Sequence, residues 1–491
     1  MKWLPPLPQM KHKTRIAFFL RQKQAMTVQS SDSGVTQDEG PSGRRILAID
    51  ATGVLAWPDK ALSGIPRVED FLIKAALADP DRHVRVVAFK SWDGGFRSLE
   101  PFEERRLADG QIAPLRVTEW PGRKAALKSA FQMVRLYPWA KRAADSHLAQ
   151  TVTNGSGGFD WAAVKLLIRL YRLYRRAAGR TGRRQAAARP PQRIDNDITL
   201  ICHNVLAYGD GPAVSDDASG IAFICHDLIP SVRPDLVAGT KAEKEFGTKL
   251  AQLMRAGATA FCASDAASVM LTDHMRQAGI APPVVHRFPM PSVLHETASR
   301  LGMTSRIETS EPFALYCSTI EVRKNHILLA RIWQQAREEG VTLPKLVCAG
   351  RWGWMIDPLR AYLKAHPDLA ETVTFTGPIS DEELIRYYRS ASFGVFPSHI
   401  EGWGYAASEC LDFGIPVIVS TTPALIEASG GLMPAIDSED QAGWYAAIRR
   451  MADDKAWHSS LVDRIARHHR PTPAAASWAA IKTGLQAIGK Q

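Results

Sequence analysis

Two glutamates eight residues apart, Glu401 and Glu409, bracket a segment that reads EGWGYAASE. Glu401 opens a glycine-bearing loop, Gly402-Trp403-Gly404, directly after an apolar run ending in Phe396-Pro397-Ser398. An ionised carboxylate only accepts hydrogen bonds, and flanking glycines let a ligand approach the backbone, so the loop suits a molecule rich in hydroxyls. Glu409 falls about two helical turns further on, where an acidic side chain can grip the paired hydroxyls of a ribose. Arg323 and Lys324 stand at the start of a helical run, a place the helix dipole makes unfavourable for cations. A diphosphate partner there would relieve that cost and gain charge stabilisation as a bond to it breaks. His226 ends the apolar run IAFICHD, at a strand's carboxyl end, and a neutral imidazole can bond a hydroxyl; Asp227 fixes the loop or orients the ring. By residue type alone the same groups also read as surface glutamates, a solvated cation pair and a structural histidine.

Elements that position these groups recur along the chain. RILAID from Arg45, a loop carrying Ser63-Gly64-Ile65-Pro66-Arg67, a helix from Val68 to Ala78 and the strand VRVVAF make a βαβ pattern. After Pro190-Pro191 the strand-like runs ITLICHN, IAFICHD, TAFCASD and PVVHRF follow, with a helix around Asp235 to Ala256. A second series reads FALYCST, a helix from Asn325 to Glu339, KLVCAG, TVTFTG, FGVFPS and IPVIVST. Two consecutive α/β domains with parallel sheets are expected, with a ligand cleft between their facing strand ends. The expected divisions are a mobile tail over 1–43, a first domain over 44–305 with a basic helical insertion around 124–190, and a second domain over 306–474. A C-terminal helix over 475–491 should cross back to the first domain, anchored by Trp478, Leu485 and Ile488.

The 491 residues are 45% hydrophobic and 23% charged, a globular composition that excludes a fibrous or disordered chain. A formal charge of +11 suggests an anionic partner. Six cysteines, none in CxxC spacing, fit a reducing compartment better than a disulfide scaffold. No uncharged stretch reaches the ~20 residues of a membrane span, so a soluble, cytoplasmic protein is expected. The segment from Trp161 to Arg184 reads as a basic amphipathic helix, suited either to an anionic membrane surface or to solvent. Nucleic acid is not expected as a partner, because the densest arginine run is confined to 169–184. Metal is not expected either: Asp195-Asn196-Asp197 has D-x-D form but sits in a turn, and no other metal motif occurs.

The segments STIEVRKN (318–325), AGRWGW (349–354), FTGPISDEELIRYYRSASFGVFPS (375–398) and EGWGYAASECLDFGIPVIVST (401–421) resemble the donor-binding domain of retaining GT-B glycosyltransferases of family four. HDLIP at 226–230 is similar to a motif of its mannosyltransferase-like branch. The resemblance implies a GT-B fold and hexose transfer, mannose from GDP-mannose foremost, to a sugar hydroxyl. It implies no resident cofactor and no metal, a nucleotide diphosphate sugar as donor, and a glycan or lipid-diphosphate-linked sugar as acceptor at the inner membrane face. A UDP-sugar donor within the same fold is the alternative; a glycogen-type or phosphorylase-like enzyme and a non-catalytic scaffold are weaker ones. By the same resemblance Lys324, with Arg323, meets the phosphates, Glu401 and His226 the transferred sugar, and Glu409 the ribose. Gly64, Arg67 and Ser318 would line the phosphates; Arg351, Trp354, Pro378 and Ile379 the base; and Gly402, Trp403, Gly404 and Tyr405 the donor loop. Two departures stand out: Ser318 where the family commonly has glycine, and Pro66, which lacks an amide donor.

Overall fold

The computed structural model describes residues 45–56, 64–90, 95–99, 101–108, 198–202, 218–281 and 283–488. The expected tail over 1–43, the basic insertion around 124–190 and the Asp195–Asp197 triplet lie outside the described residues. Strands β1 (Leu47–Asp50), β2 (Val84–Lys90), β3 (Gly95–Ser98), β4 (Ile198–Ile201), β5 (Ile221–Ile224), β6 (Thr259–Cys262) and β7 (Val285–Arg287) form one sheet in the order β3-β2-β1-β4-β5-β6-β7. Only the β2–β3 pair is antiparallel. Runs such as ITLI and TAFC are apolar on both sides because helices cover both faces of a parallel sheet.

The second sheet, parallel throughout, comprises β8 (Phe313–Cys317), β9 (Lys345–Ala349), β10 (Val373–Gly377), β11 (Phe393–Phe396), β12 (Val417–Ser420) and β13 (Ala435–Ile436). Its order is β10-β9-β8-β11-β12-β13, so the winding reverses between β8 and β11. In the first sheet it reverses between β1 and β4. At such a reversal the loops leaving adjacent strands diverge and leave a crevice at the carboxyl ends. The loop after β8 carries Ser318 to Lys324, and the loop after β11 carries Glu401; both candidate groups flank the second sheet's crevice.

Five helices matter for the site: α1 (Ile65–Leu77), α2 (His326–Glu338), α3 (Asp381–Ser390), α4 (Tyr405–Asp412) and α5 (Ala474–Ala487). α1 starts three residues earlier than the sequence suggests, because Pro66 sits in its first turn, where a missing amide donor costs nothing. α3 opens on a capping box between Ser380 and Glu383. Gly404 precedes α4 at φ 101°, and a Cβ there would run into the Leu425 side chain.

Helix α5 packs on the first sheet, with Trp478, Ile481 and Leu485 joining a core that includes Leu72, Phe261 and Phe288. Burying a side chain of this size contributes about 1.5–3 kcal/mol. Trp478 Nε1 donates to Asp79 Oδ2 at 2.7 Å and Lys482 Nζ donates to Asp79 Oδ1 at 2.9 Å, so the helix is tied at its rim as well as its core. The expected division at 305/306 falls in irregular chain, which runs from 301 to 312 after the helix Val293–Arg300. No described helix is long and apolar enough to cross a membrane.

Candidate active site

Two ionic clusters stand where the two sheets meet, both within the single unit that begins at Arg45. The first is built on the short 3-10 turn Val322–Lys324 after β8. Asn325 ends that turn in the left-handed region, φ 56°, and its Nδ2 donates to Ser438 O at 2.9 Å. The turn delivers Arg323 and Lys324 side by side onto Glu401. Arg323 Nη1 donates to Glu401 Oε2 at 2.6 Å and to Ile400 O at 3.0 Å, and Lys324 Nζ donates to Glu401 Oε1. Burial alone would raise the Glu401 carboxyl, but Arg323 and then Lys324 outweigh it and bring it down to about 2. Glu401 is therefore a permanent acceptor near neutral pH and cannot donate a proton. Lys324 is pushed below its ordinary value, by burial first and by Arg323 second.

The first domain closes this cluster from the other side. His226 Nε2 lies 2.9 Å from Cys202 O; a carbonyl only accepts, so Nε2 carries a proton. Asp227 Oδ1 accepts from Ile229 N at 2.9 Å and fixes the HDLIP loop, and burial raises its carboxyl. Gly402 presses against this loop: a Cβ on it would strike the His226 carbonyl and come within 2.8 Å of Asp227 Cβ. Glycine is required there because the two domains touch backbone to backbone. Ser264 Oγ donates to Gly402 O at 2.5 Å and secures the same contact.

The second cluster is centred on Glu409, one of the few buried carboxylates of α4. Arg67, from the first turn of α1, donates to Glu409 Oε1 at 2.5 Å and to Asp381 Oδ1 at 2.7 Å. The Arg67 and Glu409 side chains are 7% and 3% exposed. The Tyr388 hydroxyl donates to Glu409 Oε2 at 2.7 Å. Burial pushes the Glu409 carboxyl up to about 7, and Arg67 only partly offsets it. The carboxylate that the sequence assigns to a ribose is thus held by a cation from the opposite domain.

These loops lie in a segment with recognisable relatives. Residues 311–454 match the family model described as glycosyl transferases group 1. That segment is therefore similar to the glycosyl transferases group 1 family. The chain is also 30% identical over 152 residues to O-antigen chain mannosyltransferase B of Escherichia coli, covering 31% of this chain and 40% of the relative. It is 25% identical over 253 residues to the serotype-specific mannosyltransferase WbdA of Escherichia coli, covering 48% of this chain and 31% of the relative. The matches therefore span less than half of either relative's length. Among solved structures, sucrose-phosphate synthase from Thermosynechococcus elongatus superposes with a TM-score of 0.50 at 16% identity, covering 90% of this chain and 98% of that one. The likeness shows a shared fold, two Rossmann-like parallel-sheet domains in the GT-B arrangement.

Between the second domain and the first, the structure gathers Arg323, Lys324, Glu401 and Gly402 beside the His226 loop. It gathers Glu409 and Arg67 at the second cluster, where the Arg67 guanidinium lies 6.0 Å from the Tyr405 ring centroid. Ser318 Oγ is 3.3 Å from the ring of buried His326, which burial pushes down to about 3 and so keeps neutral. Other candidates serve the domain interface through their polar tips. Trp354 Nε1 donates to Leu236 O at 3.3 Å, and the Tyr405 hydroxyl donates to Pro291 O at 2.6 Å. Trp403 packs on the first domain's core and donates to Ser408 Oγ at 3.3 Å. Gly64 precedes α1, Arg351 is exposed, and exposed Pro378 with half-buried Ile379 leads into α3. Among the described residues, no group of three or more His, Cys, Asp or Glu is arranged to hold a metal ion.

Asp381, Tyr388 and Glu321 belong to these clusters although sequence reading did not select them. Asp381 reads as part of an acidic helix opening, which it is, but its partner Arg67 lies 314 positions away. Glu321 carried a weak signal, two residues before Arg323 inside a motif already singled out.

Proposed function

We propose that this protein is a nucleotide-sugar-dependent, retaining glycosyltransferase that moves mannose from GDP-mannose to a sugar hydroxyl of a glycan or lipid-diphosphate-linked acceptor. The observation that carries the reading is the Arg323–Glu401–Lys324 arrangement at the second sheet's winding reversal. An incoming diphosphate competes with Glu401 for cations and frees the carboxylate to accept from sugar hydroxyls. The similarity to two bacterial mannosyltransferases supports the sugar.

In the step proposed, the bond from the anomeric carbon to the donor phosphate oxygen breaks and the acceptor oxygen bonds to that carbon on the same face. The acceptor's proton passes to the leaving phosphate, whose charge is held by Lys324 with the Arg323 charge behind it. Glu401, ionised down to about 2, positions the sugar and takes no proton. His226 is placed beside the transferred sugar, where its ring bonds a hydroxyl. Cations of the protein carry the phosphate charge, so the reaction proceeds without a divalent metal. The protein acts in the cytoplasm, peripherally at the inner membrane face. Incubation with GDP-mannose or UDP-sugars and a mannose-terminated acceptor, with NMR of the product linkage, tests this. An α-mannoside formed from GDP-mannose is the expected product. Transfer from UDP-sugars alone would move the donor assignment, and an inverted linkage would refute retention.

A further inference from the structure

Arg323 and Lys324 both reach Glu401, but they are held very differently. Arg323 is spread over three protein acceptors: Nη1 serves Ile400 O and Glu401, while Nη2 donates to Glu321 Oε1 at 2.6 Å. Lys324 Nζ, which has three donors, carries a single carboxylate contact, to Glu401. Glu321 is only 2% exposed, and its Oε2 has no hydrogen-bond partner among the described residues. Burial raises its carboxyl against the pull of Arg323 and Lys324. A buried carboxylate left half-bonded is costly, and needs a reason beyond stability.

The backbone around it is pinned. Glu321 O accepts from Lys324 N at 3.1 Å, and Gly353 N donates to the neighbouring Ile320 O at 2.8 Å. A planar guanidinium gripped by carboxylates at both ends cannot rotate, whereas an ammonium on a four-carbon stem can swing. We infer that Glu321 is a positioning residue that brackets Arg323 onto Glu401, leaving Lys324 as the cation that turns to the donor's diphosphate. This rests on the glycosyltransferase reading above. When the diphosphate draws Lys324 away, Glu401 keeps Arg323 and stays aimed at the transferred sugar.

Glu321→Gln keeps the shape and removes the charge. The expected result is a GDP or UDP dissociation constant within about threefold of wild type, with kcat lowered at least tenfold and KM little changed. Glu321→Asp should recover part of kcat, and it serves as the test variant should Glu321→Gln fail to fold. Unchanged kcat and KM would overturn the assignment. So would a loss lying wholly in diphosphate binding, since that would make Glu321 an accessory of phosphate charge. A second readout needs no nucleotide: NMR of the arginine guanidinium groups, with Arg323 assigned through Arg323→Lys. Hindered rotation in wild type that is released in Glu321→Gln supports the bracket, and identical signals overturn it. If wild type binds no nucleotide at all, the transferase reading fails while this second readout still decides the role of Glu321.

Discussion

Replacing Arg67 with methionine keeps an unbranched side chain of similar length in α1 but withdraws the cation from Glu409 and Asp381. Glu409 titrates near 7 in the folded chain, above its ordinary 4.5, because burial outweighs Arg67. Between those values the unfolded chain releases its Glu409 proton first, so this group's contribution to stability declines as pH rises through the window. Without Arg67 the folded carboxyl titrates higher still, and the decline continues past pH 7 at about 1.4 kcal/mol per pH unit. At pH 5 the folded carboxyl is neutral in both proteins, and the substitution removes hydrogen bonds worth about 1–2 kcal/mol. At pH 8 the cost should be larger than at pH 5 by about 1.4 kcal/mol. Equilibrium denaturation of wild type and Arg67→Met at both pH values measures this difference. A cost equal at the two pH values, or greater at pH 5, would refute the buried-pair argument.

Other substitutions probe the same interface and site. Glu401→Gln should lower transfer on the order of 100-fold yet tighten GDP binding, because Lys324 is released to the phosphates; weakened GDP binding in calorimetry would contradict the competition. Nucleotide affinity should fall as pH drops below about 7, where Glu409 becomes protonated and accepts poorly from ribose hydroxyls, and Glu409→Gln should flatten that profile. Gly402→Ala should wedge the His226 loop away from the second domain, and small-angle scattering should show a larger radius of gyration together with lost activity. An unchanged radius with full activity would remove the tight-contact argument.

Local chemistry was legible from residue order. Arg323, Lys324 and Glu401 lie in loops that directly follow apolar strands, so strand order alone delivers them to one crevice. Trp478, Leu485 and Ile488, the anchors named from sequence, all join the first sheet's core. What sequence did not reveal depends on long-range contact. Arg67 read as a phosphate ligand, and its pairing with Glu409 and Asp381 requires knowing how the two domains meet. Trp354 and Tyr405 read as donor-facing, while their polar tips bond across the domain interface to Leu236 and Pro291. Pro66 read as a departure because it lacks an amide donor, and the structure places it in the first turn of α1, where that amide would have no intrahelical partner.

In the proposed function a nucleotide diphosphate sugar binds at the Lys324 cluster. Isothermal titration of GDP, UDP, ADP and their sugars, with and without EDTA, into wild type and Lys324→Met tests it most directly. GDP and GDP-mannose should bind wild type regardless of EDTA, and Lys324→Met should weaken binding at least tenfold. Folded wild type that binds none of these ligands, or a Lys324→Met variant that binds as wild type does, would contradict it.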